Sequence, residues 1–283
     1  MPRKRGRVEH WWLIALPVLA FLAVFFVYPS ATILFRTFTK FDPPQTGGLD
    51  NLVWFFSRDA NRTILVRTFL VAGLSTILTS LLAFPYAYLM TRVQPSVRTL
   101  MLGIVLVSMF FGILLRNFAW VVLLQVQGPL NDVIEMLGFE RQRFLGTMPA
   151  VLMGMTHVLF PYMVLPLYAV LRGIDTRLVL AAESLGATPR RAFWQIYIPL
   201  SLPGFFAGAL LVFVLALGFF ITPAVLGSPQ QSLISQLMYA QFYRQAAFGR
   251  AGAMAIVLLA ATVLVLLLAR ALSRRSRAYE AAP

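Results

Sequence analysis

The residues able to do chemistry in this chain are few, and most reaction classes fall away on inspection. There is no cysteine, so thiolate catalysis and thiolate metal sites are excluded. The two histidines, His10 and His157, lie far apart, and neither forms part of a metal-binding pair. A phosphate-binding loop needs a lysine directly after glycine. The only lysines, Lys4 and Lys40, follow arginine and threonine, so the chain does not hydrolyse ATP by itself. No catalytic residue is assigned. What remains is Arg116 and His157, each inside an apolar stretch, with aromatic rings at Trp120, Tyr162, Phe219 and Phe220. Ionisable groups at such depth are costly in lipid and face the bundle or a cavity. Arg116 either reaches an interface or neighbouring carbonyls with its long stem, or it lines a pathway. His157 either makes a hydrogen bond between helices or touches a solute. The four aromatic side chains are candidate pathway residues because their ring faces stack on cations.

The elements that position these residues follow from composition. Of the 283 residues, 59% are hydrophobic and 12% charged. A soluble domain carries roughly twice that charge, so the chain reads as an all-α integral membrane protein. The net charge of +14 marks membrane flanks and not a nucleic-acid partner. A spanning helix needs ~20 apolar residues. Six stretches qualify: Trp11 to Phe35, Thr68 to Thr91, Thr99 to about Val126, Phe144 to Leu171, Gly204 to Leu226 and Ala251 to Ala269. Pro199 and Pro203 are expected to break the chain before the fifth, and Gly227 to Gln231 after it. Gly103, Gly112, Gly154, Gly208 and Gly218 are expected to mark close helix packing. The first span is expected to be retained, because it is longer than a signal peptide's apolar region and no small-x-small site closes it.

Basic residues set the orientation. With the N-terminus inside, 14 of the 24 Lys and Arg residues lie inside and nine outside, with Arg116 left in a span. Both termini are therefore expected in the cytoplasm. Residues 1–10 form a basic tail, 11–270 the membrane domain and 271–283 a second tail.

Three outer connections are expected. The first holds a short helix near Asn51 to Phe56. In the second, a turn at Gly128-Pro129 precedes a helix from Asn131 to Leu137, capped by Asn131 and closed by Gly138. The third, Ser228 to Arg250, is polar and aromatic, and serves as an interfacial belt or as a docking surface for an outside partner.

The connection between the fourth and fifth spans is longer than a turn. Asp175 can cap a helix over about Thr176 to Leu185, and Gly186 stands where a left-handed stop residue belongs. Thr188 can cap a second helix with Pro189 at its first position, ending near Pro199. Leu178, Ala181, Ala182 and Leu185 share one face. This loop, 175–199, is expected to form a knob that inserts into a partner's groove, or else to lie on the membrane held by Arg190 and Arg191.

Ala181-Ala182, Gly186, Ile196 and Pro199 resemble the cytoplasmic signature of permease subunits of binding-protein-dependent ABC importers: Glu-Ala-Ala, three residues, Gly, nine residues, Ile, one residue, Leu-Pro. Leu180 stands in place of the leading Glu and Ile198 in place of Leu, with Glu183 the nearest acid. Arg116 to Trp120, Gly128 to Asn131, Pro161 to Tyr168 and Pro199 to Gly204 resemble the spermidine/putrescine-type branch. The likeness runs from about Trp11 to Ala269.

The resemblance implies a type I ABC importer permease (MetI-like) of six transmembrane helices in a bacterial inner membrane. It implies that Ala181, Ala182, Glu183, Gly186, Ile196 and Pro199 form the ATPase-coupling loop. The implied partners are a second permease, two cytosolic ATPases and a soluble binding protein outside. ATP and magnesium would belong to the ATPase, leaving no cofactor in this chain. A polyamine is the solute the branch implies. In polyamine-type members the fifth span resembles Gly-Glu-Phe-Val-Ile-Pro-Glu-Leu-Leu-Gly, whereas here Phe219 and Ala224 replace both acids. Arg116 without a counter-acid equally suits an anion such as an opine, an amino-acid-like solute or an organophosphonate. A secondary transporter is the rival class, although it normally needs more spans, repeats or coupling acids in the membrane.

Overall fold

The computed structural model describes residues 11–43, 45–175 and 177–280. The basic tail at residues 1–10, the end of the tail at 281–283 and Thr176 lie outside them. All the regular secondary structure of the described residues is helical, with no strand among them. We number the helices α1 (residues 11–36), α2 (Asp50–Ser57), α3 (Asp59–Arg92), α4 (Pro95–Phe110), α5 (Ile113–Leu123), α6 (Pro129–Met136), α7 (Met148–Leu171), α8 (Arg177–Ser184), α9 (Pro189–Leu217), α10 (Ile221–Leu226), α11 (Ile234–Tyr239) and α12 (Phe248–Glu280). Among the described residues α1, α3, α7, α9 and α12 are long and apolar enough to cross a membrane, and α4 with α5 supplies a sixth, broken span. The described residues up to Arg62, with those from Met238 onward, form one compact unit, and Thr63–Leu237 form another.

In the first unit, α12 comes down to backbone contact with the end of α1. A Cβ at Gly252 would lie 2.6 Å from the Ile33 carbonyl. Buried Asn51 on α2 donates to the carbonyls of Thr37 and Lys40 at 2.8 and 2.9 Å, which fixes the turn leaving α1. Arg250 of α12 donates to Gln45 Oε1 and to the Pro43 carbonyl, with its guanidinium 5.0 Å from the Trp54 ring. The short helix expected near Asn51 to Phe56 is thus present as α2.

In the second unit α7 is the most buried span. Small residues let its neighbours approach, as helix packing in lipid requires. A Cβ on Gly208 of α9 would lie 2.7 Å from Met163 Sδ, and one on Gly204 would lie 2.7 Å from Val170 Cβ. Gly154 of α7 faces Thr222 of α10, where a Cβ would be 2.7 Å from Thr222 Cγ2. Gly154 and Gly208 therefore mark close packing as expected. Gly103, Gly112 and Gly218 do not, because an added Cβ meets nothing closer than 3.9 Å at any of them.

Two spans depart from the sequence reading. The third is not one helix. Phe111 and Gly112 take extended backbone, with ψ of 124° and 142°, and α4 and α5 meet at 99°. The fifth is not broken by Pro199 and Pro203. Helix α9 runs through both and ends before Gly218, so the stretch to Leu226 is a separate short helix. A π turn at Phe193–Tyr197, closed by Ile198 N–H on the Phe193 carbonyl, directly precedes the residue pair Ile198-Pro199. This one-residue slip of the ladder accommodates the N–H that proline lacks. The same device recurs in α1, where a π turn at Ala23–Val27 precedes Tyr28-Pro29. The second helix of the connecting loop accordingly does not stop near Pro199 but continues into the span.

Asn131 is not a cap either. Gly128 takes that position, while buried Asn131 donates to the carbonyls of Gln125 and Gln142, both at 2.9 Å, and accepts from Gln142 N–H at 2.8 Å. Gly138 does close α6, with φ of +85°. Arg141 ties the same loop by pairing with Asp132 at 2.9 Å and Glu135 at 2.6 Å.

Candidate functional site

The segment between α7 and α9 folds from local signals. The Asp175 carboxylate accepts Arg177 N–H at 2.9 Å and starts α8. At its end Gly186 has φ of +91°. Ala187 N–H then reaches the Ala182 carbonyl and Gly186 N–H the Glu183 carbonyl, both at 3.0 Å. This pair of bonds is the Schellman arrangement, which needs the left-handed residue found there. Thr188 Oγ1 accepts Arg191 N–H, and α9 begins at Pro189.

Leu178, Leu180 and Leu185 stand exposed on this short segment, Leu185 at 89%. Ala181 is also exposed, whereas Ala182, Glu183 and Ile196 are half-buried and Pro199 is exposed. A cluster of exposed leucines outside the long apolar helices has the character of a contact surface. Leu180, which replaces the signature acid, belongs to this exposed set.

Sequence reasoning missed what anchors the segment. Tyr88 at the end of α3 packs edge-on against Phe193 and Tyr197, at 5.5 and 5.2 Å between ring centroids, and these two stack on each other. The Arg92 guanidinium lies 5.2 Å from the Tyr88 ring and 5.8 Å from that of Tyr197. The four-residue spacings of Tyr88 with Arg92 and of Phe193 with Tyr197 were the available signal, since such pairs share a helix face.

The second region gathers three of the six expected pathway residues. Arg116 and Trp120 lie one turn apart on α5, and Trp120 Nε1 donates to His157 Nδ1 of α7 at 3.0 Å. Arg116 lies within electrostatic reach of both Tyr162 and His157. Its Nε and Nη1 are buried without a hydrogen-bond partner. A cavity of about 870 Å³ is lined by Arg116, His157, Phe111 and the hydroxyl residues Ser96, Thr99 and Ser108. A second, of about 540 Å³, is lined by Trp120, His157, Thr156 and apolar side chains. His157 thus borders both. Neither cavity is lined by Phe219 or Phe220, which lie in the break between α9 and α10, where the Phe219 carbonyl accepts the Ser235 hydroxyl at 2.7 Å. Among the described residues no group of His, Asp and Glu is arranged to hold a metal ion.

Residues 83–278 match the family described as the binding-protein-dependent transport system inner membrane component. The chain is 33% identical over 198 residues to the spermidine/putrescine transport system permease protein PotB of Haemophilus influenzae, covering 69% of each. It is 30% identical over 252 residues to the inner membrane ABC transporter permease protein YdcU of Escherichia coli, covering 81% of this chain and 79% of that protein. Its fold is similar to that in a crystal structure of a bacterial ABC transporter involved in the import of the acidic polysaccharide alginate. The TM-score is 0.77 at 21% identity, covering 94% of this chain and 96% of the other.

Proposed function

This chain belongs to the binding-protein-dependent transport system inner membrane component family, and from that premise we propose how it works within its importer. It is a membrane permease subunit and not an enzyme, and membership of this family removes the secondary-transporter alternative. In our reading it pairs with a second, similar permease, and each half contributes to one pathway. Two cytosolic ATPases hold the ATP and magnesium, and a soluble binding protein delivers solute from outside. Both termini face the cytoplasm.

The observation that carries this reading is the segment 175–199. Two capped helices joined at left-handed Gly186 present exposed Leu178, Leu180 and Leu185, and Tyr88 and Arg92 tie the base of the segment to α3. A rigid, anchored knob with an apolar tip suits transmission of a partner's movement. We assign Ala181, Ala182, Glu183, Gly186, Ile196 and Pro199 to it as coupling residues. Arg116, Trp120, His157 and Tyr162 stand as pathway residues: Arg116 lines the larger cavity, Trp120 the smaller and His157 both, with Tyr162, Phe219 and Phe220 outside either lining.

The solute is small and polar. The name of the PotB relative supports a polyamine, whereas the cation lining the larger cavity favours an anion-bearing solute.

Purification of the tagged chain in mild detergent without crosslinking tests the reading. An ATPase and a second permease are expected to co-elute. A chain that elutes alone and transports in liposomes without ATP would overturn it.

A further inference from the structure

Resting on the importer reading above, we propose that the Arg116 cavity binds an oxyanion group of the transported solute: a carboxylate, a phosphate or a phosphonate. A guanidinium stays charged at any physiological pH. Leaving two of its nitrogens buried and unpaired is costly unless a charged partner arrives. Arg116 Nε and Nη1 are in that state and are themselves closed off from the cavity, so an oxyanion there meets them once the Arg116 side chain turns toward it. No Asp or Glu lines either cavity.

The acids of this unit are engaged or placed elsewhere. Asp132 and Glu135 are held by Arg141, and Asp175 caps α8. Glu140 lies in the loop before α7, and Glu183 lies on α8. The partner that Arg116 lacks therefore does not come from this unit.

The surroundings suit an oxyanion. Planar guanidinium donors match carboxylate and phosphate oxygens, and the bonds are charge-assisted. Ser108, at the end of α4 next to the break, adds a hydroxyl to the lining, whereas the Thr99 hydroxyl already donates to the Pro95 carbonyl at 2.9 Å. Because Trp120 donates to Nδ1 of His157, the neutral imidazole carries its proton on Nε2 and is a donor there. A polycation would meet Arg116 with no carboxylate to offset it. The cavity, at about 870 Å³, has room for a small solute. A phospholipid headgroup offers the same oxyanion chemistry, and the test separates it from a solute.

The test uses the assembled importer in a maltoside detergent, which carries no phosphate, with radiolabelled phosphate and methylphosphonate as probes and spermidine as competitor. The wild-type complex is expected to bind both probes, and spermidine is expected not to displace them. Arg116→Gln is expected to weaken binding by about tenfold or more, the loss of a charged hydrogen-bonding partner. If that variant fails to assemble with its partners, Arg116→Lys keeps the charge without the planar fork and is expected to bind several-fold more weakly.

Equal binding by wild type and variant overturns the proposal, as does displacement by spermidine. So does crosslinking of position 116 to a carboxylate of the second permease. Nanodiscs containing phosphatidylglycerol separate the two sources. Displacement of phosphate by that lipid identifies a headgroup site and overturns a solute site. Co-elution of an ATPase with the wild-type chain tests the importer reading separately, so either can fail alone.

Discussion

Trp120 donates its indole N–H to Nδ1 of His157 across 3.0 Å, and the two rings meet nearly edge to face at 6.0 Å. The bond links α5, the second half of the broken span, to α7. It also settles the tautomer of the imidazole, since the accepting nitrogen carries no proton. His157 borders both cavities and Trp120 the smaller one, so the bond fixes a side chain common to the two linings.

Trp120→Phe keeps an aromatic ring and removes the donor. We expect it to destabilise the purified complex by about 1 kcal/mol, the usual net worth of one hydrogen bond. A cycle with His157→Phe checks the origin of that loss by thermal unfolding. The two substitutions are expected to be non-additive by about 0.5 kcal/mol or more, as residues in contact are. Strict additivity would show that the bond does not contribute.

Glycine substitutions separate packing from propensity. At Gly208 a Cβ would sit 2.7 Å from Met163 Sδ and 3.1 Å from the Met163 carbonyl. The thioether can turn aside but the carbonyl cannot, so Gly208→Ala pushes α9 off α7. We expect a cost of about 1–3 kcal/mol, typical of overpacking. At Gly73 of α3 an added Cβ meets nothing within 4 Å. Gly73→Ala should be neutral or stabilising by up to ~1 kcal/mol through helix propensity. Melting temperatures of the two variants in one detergent decide the matter, and equal shifts would contradict the packing described.

These contrasts show what was legible in the sequence. Gly186 and Gly138 were readable because a left-handed stop has a residue preference that acts locally. Asp175 and Thr188 were readable as caps for the same reason. Six apolar stretches were readable because lipid leaves helices few alternatives. The break at Phe111-Gly112 was not, since both halves are equally apolar and only the backbone torsions differ. The passage of α9 through Pro199 depends on a π turn, a slip of hydrogen bonds that composition does not mark. Asn131 has a cap's residue type, but its partners, Gln125 and Gln142, are fixed by the folded loop. Arg116 and Trp120 were readable as neighbours one turn apart, whereas His157 joins them across 37 residues, a pairing that only the tertiary structure supplies.

The loop between α1 and α2 carries a pH-dependent element. The Asp50 carboxylate accepts Thr46 N–H at 2.8 Å, Gly47 N–H at 3.2 Å and the Thr46 hydroxyl at 3.1 Å. The backbone bond from Thr46, then that from Gly47, then the Thr46 hydroxyl hold its pKa below the ordinary value. Because the folded pKa is the lower one, the stabilisation is fully present above the unfolded value. It is lost as pH falls through the folded value. The difference in melting temperature between wild type and Asp50→Ala is therefore expected to be present at neutral pH and to shrink below about pH 4. A difference that stays constant to about pH 3 would show that the ionised carboxylate is not what secures the loop.

Gly186 offers the sharpest separation of folding from coupling. Its φ of +91° is a conformation in which a Cβ is strained, yet the space around it is empty, with nothing within 4 Å of an added Cβ. The local cost of a side chain is thus backbone strain of about 1–2 kcal/mol, confined to one residue. The long helices α7 and α9 on either side do not depend on it. Gly186→Val is expected to leave the permease folded and inserted while tilting α8, with its exposed Leu178, Leu180 and Leu185, away from its partner. Gly186→Asn should be milder, since asparagine visits the left-handed region more readily. Two measurements decide this: ATPase retained on the purified complex, and hydrolysis stimulated by the binding protein in liposomes. Loss of both in the valine variant, with partial recovery in the asparagine variant and unchanged docking of the binding protein, is the expected pattern. Wild-type values for the valine variant would show that the bend at Gly186 does not carry the coupling.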